Sequence, residues 1–377
     1  MTTKRRHAVD YNIMDQYWIW LSSVEGIGPK RFYQLLTIYE DPREVWDILG
    51  ASGMPREMQF LGRPTLQALR EARSEAYFYR LFDALDRKGM RAVTRISDDY
   101  PPDLSAIYDP PPTLYVRGEW PAADDRWFAV VGSRRSTRDG QRAAREIAEG
   151  LARAGVTVVS GMARGIDTCA HEGCIAGQGR TVAVLGCGAD VTYPPENQEL
   201  LERILDSGGA VVSEYPPGTP PLSGHFPQRN RIISGLTRGT LLVEGAKKSG
   251  AMITVNFALE QGRDVFAVPG SIYSPLSATP NRMIVDGAIP VISPWEILEH
   301  YRWASRPEVS DANPHRPPEL DADALKIVEP LREQELSFEE LTQITGFSAS
   351  KLNSHLTMLE LRGIIMKVPG GMYRAYL

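Results

Sequence analysis

A chain of 377 residues is too long for one ordinary hydrophobic core, and at about 150 residues per domain two or three domains are expected. Its 42% hydrophobic and 24% charged content is that of a soluble globular protein and excludes a fibrous or disordered chain. A net charge of -5 provides no global attraction for polyanions, so any nucleic-acid binding must come from a local patch, and no run reaches the roughly 18 apolar residues that a membrane span needs.

The amino terminus, MTTKRRHAVDYN, is charged with no apolar stretch behind it, so no secretory signal is read and a cytoplasmic location is expected. Residues 1–90 read as an all-helical domain, with Leu66, Leu69, Tyr77, Leu81 and Leu85 at helical spacing in its last part. Near its start, VEGIGPK (24–30) has the glycine pattern of a helix-hairpin-helix unit, with Pro29 at a first helical position. Such a turn can present amides to a phosphodiester backbone, and a purely structural turn fits the residues equally. Residues 91–125 are dense in proline and short in periodicity, and are expected to form an ordered connector.

From residue 126 to residue 301 short apolar runs alternate with helical stretches. Strands are predicted at 127–131, 156–160, 181–185, 210–213, 240–244, 264–268 and 290–292. Between the first two, Ala144, Ile147, Ala148 and Leu151 form one apolar helix face. Val- and Leu-rich strands with little alternation are those buried on both faces, so the expected fold is α/β, a doubly wound parallel sheet of extended Rossmann type. The cysteines, Cys169, Cys174 and Cys187, include no CxxC pair, which fits a reducing compartment and small buried thiols, with no disulfide scaffold or zinc site. Residues 302–318 are polar and proline-rich, the composition of a linker. Residues 319–377 then read as three helices and a glycine-turned hairpin, a winged helix, with a capping box at Ser337 and Glu340 and a helix stop at Gly346. That last segment carries six Lys and Arg against nine Asp and Glu, so docking against protein is expected of it before duplex reading.

Three strand exits carry glycine and arginine together. Gly132, Ser133, Arg134, Arg135 and Ser136 follow the first strand, where glycine permits close approach to an anion and the next helix adds its positive end. Gly161, Arg164 and Gly165 follow the second, with Asp167 and His171 just beyond, expected to cap and pack and not to form an acid-base pair. Phe226, Arg229, Asn230 and Arg231, then Arg238, Lys247 and Lys248, surround the fifth, and no Asp or Glu falls between Phe226 and Leu242. Arginine grips phosphate oxygens as a planar fork, and an aromatic beside it offers a platform for an unpaired base. Parallel strands end on one rim, so these exits are expected to share one phosphate-lined surface.

With these residues laid out, the chain resembles the DNA-processing protein A family (DprA, also called Smf). The resemblance rests on GSR (132–134) followed by Ser136, SGMARGID (160–167) with Ala170 and His171, AVLGCG (183–188) and YPPEN (193–197). It continues through SEYPPG (213–218), FPQRNRIISGL (226–236), SGAMIT (249–254), EQGRDVFAVPGS (260–271) and NRMIVDGA (281–288). Met162 and Gly245 depart from the pattern without changing charge. The resemblance implies a non-enzymatic binder of single-stranded DNA that dimerises and hands the strand to the RecA recombinase in natural transformation. It places phosphate-pocket roles on Gly132, Ser133, Arg134, Ser136, Gly161, Arg164, Gly165, Arg229, Asn230 and Arg231; Lys247 and Lys248 join them on charge alone. No cofactor or metal is expected.

Two enzymatic alternatives compete. A nucleotide hydrolase resembling the cytokinin-activating phosphoribohydrolases would need a PGGxGTxxE motif, whereas SGLTRGTLLVE (234–244) lacks the Pro-Gly-Gly and carries Glu244 one residue late, at the end of a predicted strand. A dinucleotide-dependent enzyme lacks both GxGxxG and an acidic ribose clamp.

Overall fold

Short Val-rich runs and amphipathic helices lay down, in chain order, a helical cap, a large sheet and a small winged helix. The computed structural model describes residues 11–50, 55–120, 126–247, 249–304, 321–361, 364–368 and 371–375. The chain folds as two compact units, Met1–Ser305 and Arg306–Leu377.

The first unit opens with helices α1 (Ile13–Ser22), α2 (Pro29–Leu36), α3 (Pro42–Gly50), α4 (Arg63–Ala72) and α5 (Glu75–Arg87). They close on a core that includes Trp20, Phe32, Leu35, Met58 and Leu69. Gly26 turns the chain between α1 and α2 at φ 83°, and Pro29 is the first residue of α2, as the hairpin pattern predicts. The sheet then begins earlier than the sequence suggests. Strands β1 (Met90–Thr94) and β2 (Thr113–Gly118), joined through one turn of helix, α6 (Pro102–Ser105), lie inside the expected connector and pair antiparallel. The prolines between them hid two short strands from periodicity.

The doubly wound part follows as β3 (Trp127–Val131), α7 (Arg138–Arg153), β4 (Thr157–Ser160), α8 (Ile166–Ala176), β5 (Thr181–Val184), α9 (Gln198–Asp206) and β6 (Ala210–Ser213). It continues through α10 (His225–Gly235), β7 (Gly239–Leu242), α11 (Gly250–Glu260), β8 (Asp264–Ala267), α12 (Ala278–Val285), β9 (Ile289–Pro290) and α13 (Trp295–His300). Among the described residues the sheet has nine strands in the order β1-β2-β6-β5-β4-β3-β7-β8-β9, and β6 through β9 run parallel. Both faces are covered, as the uniform apolar strands require. Ala129 and Val131 of β3 pack toward Ile232, Ile233 and Val255 of α10 and α11, while Phe128 and Val130 pack toward Ile147, Leu151 and Ile166 of α7 and α8. Each large apolar side chain among them contributes about 1.5–3 kcal/mol by burial. Helix α7 starts at Thr137, whose hydroxyl accepts the Gly140 amide at 3.0 Å. Cys169, Cys174 and Cys187 are all buried and free.

The second unit contains α14 (Ala322–Glu333), β10 (Leu336–Ser337), α15 (Phe338–Thr345), α16 (Ala349–Leu361), β11 (Ile365–Val368) and β12 (Met372–Ala375), with the strands ordered β10-β12-β11. The capping box of Ser337 and Glu340 is present, and Gly346 ends α15 in the left-handed region, so this is the winged helix the sequence predicts.

Candidate nucleic-acid interface

Strand β3 is where the order in which the parallel strands are added reverses. The crossover through α7 places β4 on one side of it, whereas the chain returns through α10 to place β7 on the other. In open α/β sheets such a switch point leaves a crevice beyond the carboxyl ends of the strands. Here it is a cavity of about 680 Å³ between the loop after β3, the start of α10 and the start of α11.

The loop after β3 is clamped on both sides. The Ser133 amide donates to the Glu244 carbonyl at 2.8 Å, and the Ile166 amide donates to the Ser133 carbonyl at 3.2 Å. Gly165, at φ 78°, stands where a Cβ would come within 2.4 Å of the Ser133 oxygen, so only glycine lets these loops meet. A Cβ on Gly132 would likewise lie 2.6 Å from the Ile166 side chain. The clamp uses up donors: the Arg135 amide bonds to Ser133 Oγ at 3.1 Å, and the Thr137 amide bonds to Glu244 at 2.9 Å. These main-chain groups serve the fold, and charge reaches the cavity on side chains.

Arg134 and Arg135 are exposed and line the cavity. The Arg134 guanidinium lies 5.9 Å from the ring centroid of Phe226, which packs at 5.1 Å against Tyr193. Cation and half-buried aromatic therefore stand together at the mouth, a combination worth about 0.5–1 kcal/mol where exposed.

Arg229 lies deeper, 3% exposed, and donates to the carbonyls of Gly161, at 2.9 Å, and Val184, and to Asn230 Oδ1 at 3.1 Å. It ties the β4 and β5 exits to α10. Burial lowers its pKa to about 10, with Asp167 opposing and Arg134 assisting. Burial also raises the Asp167 carboxyl to about 6, against the pull of Arg229. Gly161 has no room for a Cβ, which would meet both Arg229 Nη2 and Asp167 Oδ2 at 2.8 Å. His171 is fully buried, with Nδ1 2.7 Å from Thr181 Oγ1, and burial holds its pKa down at about 3. His171 packs in the core, whereas Asp167 does not cap α8 as expected: its carboxylate accepts the Ala163 amide at 3.4 Å in the loop before that helix.

Of the residues singled out from sequence, Gly132, Ser133, Arg134, Phe226, Arg229 and Asn230 line the main cavity, and Gly161 and Arg164 line a small recess sharing Arg134, Phe226 and Arg229 with it. Gly165 supports the wall from behind. Ser136 accepts from Gln141 at 3.2 Å and stands outside the lining. Arg164 is exposed and paired with Glu196. Arg231 is buried between Glu214, at 2.5 Å, and Asp109, at 3.1 Å, and does not face the cavity. Arg238 precedes β7 at the opposite rim and pairs with Asp103 at 3.1 Å. Lys247 is exposed outside the lining, and Lys248 lies outside the described residues. Sequence reasoning missed the second wall, formed by Ala246, Ser249, Gly250, Ala251, Ile253 and Thr254. Its signal was a Ser-Gly pair opening an apolar helix, with no side-chain cap on its first amides. Glu244 also differs from expectation: β7 ends at Leu242, so Glu244 sits in the following loop, where its carboxylate accepts the amide and the hydroxyl of Thr137.

The sequence profile described as DNA recombination-mediator protein A matches residues 91–302, more than half of the chain. The chain belongs to that family. The DprA winged helix domain profile matches residues 311–371. Protein Smf of Escherichia coli (strain K12) is 40% identical over 295 residues, covering 77% of this chain and 79% of that protein. Protein Smf of Synechocystis is 31% identical over 398 residues, covering 96% and 99%. Among solved structures, DNA processing protein A from Streptococcus pneumoniae superposes with a TM-score of 0.62 at 34% identity, over 77% of this chain and 98% of that one. DNA processing protein A from Helicobacter pylori, described by its single-stranded DNA binding mode, gives 0.51 at 25% identity, over 57% and 97%. This is a DNA-processing protein of the DprA/Smf family. Among the described residues no helix is long and apolar enough to cross a membrane.

Proposed function

We propose that this protein binds single-stranded DNA at the switch-point cavity without catalysing a covalent change, protects incoming strands, and delivers them to the RecA recombinase during natural transformation. The observation that carries the reading is Arg134 beside Phe226 at the mouth of a cavity walled by Gly132, Ser133 and Asn230. Arg134 and Arg135 take phosphates, Phe226 or its neighbour Tyr193 takes an unpaired base, and Arg229 holds the loops in register. The relative from Helicobacter pylori, described as a binder of single-stranded DNA, supports the same class of ligand. Absence of chemistry is supported by Glu244, the carboxylate nearest to a hydrolase motif, which is spent on Thr137. A homodimer would present two cavities to one strand, with Lys247 and Lys248 extending the contact. We assign residues 126–301 as the binding domain, 1–90 as the helical domain, 91–125 as its connection, 302–318 as a linker and 319–377 as the winged helix, a protein-docking module in the cytoplasm.

Titration of labelled single- and double-stranded oligonucleotides at two salt concentrations tests the reading. Single strands should bind tighter and lose affinity steeply with salt, with a log-log slope of about -0.7 per phosphate neutralised. Equal binding by wild type and Arg134→Ala would overturn the site. Sedimentation gives the oligomeric state, and RecA filament growth on strands pre-bound by this protein tests delivery.

A further inference from the structure

The rim that carries Arg134 does not stop at the doubly wound strands. Strand β2 pairs antiparallel with both β6 and β1, so β1 runs in the direction of the parallel strands and its carboxyl end, Thr94, sits on their rim. Thr113, which opens β2, pairs with Thr94 and lies there too. From β3 to β1 the sheet order counts five steps between neighbouring strands, about 24 Å of edge at a spacing of roughly 4.8 Å. The cavity occupies the β3 end of that edge.

Beyond the cavity the rim displays rings and a cation. At the exit of β6, Tyr215 stacks on His225 with ring centroids 3.9 Å apart and planes 11° from parallel, and both residues are half-buried. His225 is the chain neighbour of Phe226, so this pair continues the aromatic surface at the cavity mouth. Ahead of β2, Tyr108 is 99% exposed. The chain on either side of it is pinned. Ile107 packs so closely on α10 that a Cβ on Gly235 would meet it at 3.1 Å, and Asp109 accepts from Arg231 at 3.1 Å. At the exit of β1, Arg95 is exposed, donates to Ser105 and lies 5.1 Å from the ring centroid of Tyr33 in α2, with no carboxylate bonded to it among the described residues. The acids next to these tyrosines, Glu214 and Asp109, are both held by the buried Arg231. Rings that stack unpaired bases, spaced with cations that hold phosphates, make a groove that tracks a single strand.

We propose that a single strand seated at the cavity continues along this rim, over Tyr215 and His225, to a second contact area made by Tyr108 and Arg95. This rests on the binding reading above and extends it to the antiparallel strands β1 and β2, whose ends carry the far contacts. The helical region takes part through Tyr33, which backs Arg95. Tyr108 stands almost wholly in water, so its truncation removes a platform and leaves the core intact.

The test is titration of the full-length protein with a labelled thymidine trinucleotide, too short to leave the cavity end of the rim, and with an oligothymidylate of about 16 nucleotides. Tyr108→Ala and Arg95→Ala should each weaken the longer strand at least about fivefold, with trinucleotide affinity and melting temperature as in wild type. Arg95→Ala should also flatten the log-log salt dependence of the longer strand by about 0.7 for the phosphate it no longer holds. Arg134→Ala should weaken both ligands. Equal binding of the longer strand by wild type and both rim variants overturns the inference, as does equal weakening of the two ligands, which would trace the effect to the fold. If Arg134→Ala still weakens both ligands in those cases, the cavity reading survives without the track. If the rim variants weaken the longer strand and Arg134→Ala does not, the track stands and the cavity reading fails.

Discussion

The carboxylate of Glu244 accepts the main-chain amide of Thr137 at 2.9 Å and its hydroxyl at 2.6 Å, across 107 residues of sequence. The start of α7 and the loop after β7 are thereby one unit, and the arginine-bearing loop between β3 and α7 inherits its rigidity from that bond pair. A Cβ on Gly140 would meet the same carboxyl carbon at 2.3 Å, so the helix start is shaped around this side chain.

Glu244→Ala leaves the Thr137 amide without its partner in a partly buried setting. The expected loss is about 1–3 kcal/mol of stability, read by urea denaturation. Oligonucleotide affinity should fall through loosening of the loop, and incubation with nucleoside monophosphates should release no free base in wild type. Base release that disappears in Glu244→Gln would make this carboxylate catalytic.

Gly165→Ala tests the clamp. The added Cβ meets a carbonyl oxygen at 2.4 Å and the backbone holds φ at 78°, so the loops after β3 and β4 must separate. Backbone strain alone costs about 1–3 kcal/mol, and strand affinity should drop with no change of charge. An unchanged melting temperature and affinity would show that this close approach of the loops is dispensable.

Arg134 and Arg231 should behave oppositely. Arg134→Ala is expected to leave the melting temperature unchanged and to flatten the salt dependence by about 0.7 of a log unit per log unit of salt for each phosphate it no longer neutralises. Arg231→Ala strands Glu214, buried with it, and should cost about 3–5 kcal/mol, read by thermal denaturation. A stable Arg231→Ala protein with weakened binding would return Arg231 to the binding site.

Two buried groups give opposite pH dependences. Asp167, raised to about 6 by burial from its ordinary 3.8, takes up a proton on folding. Its contribution is fully present below about pH 4 and is lost as pH rises through about 6, so Asp167→Asn should gain stability on wild type across that interval. His171, held down at about 3 from an ordinary 6.5, contributes stability above about pH 6.5 that is lost as pH falls toward about 3. Denaturation of wild type and Asp167→Asn from about pH 4 to about pH 8 checks the first sign. The second is checked by NMR, in which the His171 ring should stay neutral well below its ordinary 6.5.

Local pattern alone determined the order of elements here. Val- and Leu-rich runs set the strands β3 to β8, the Ser337–Glu340 box and Gly346 set the winged helix, and the glycine-arginine exits marked the rim, because each signal spans only a few residues. The antiparallel strands β1 and β2 escaped because prolines broke the period around them. Which cations are free was a tertiary decision. Arg231 is answered by Asp109, 122 residues away, Arg238 by Asp103, and Arg229 by the carbonyls of Gly161 and Val184, leaving Arg134 and Arg135 to face the cavity. An acid-free stretch of sequence is no guarantee of free charge, since neutralising partners arrive from strands and loops that only folding brings near.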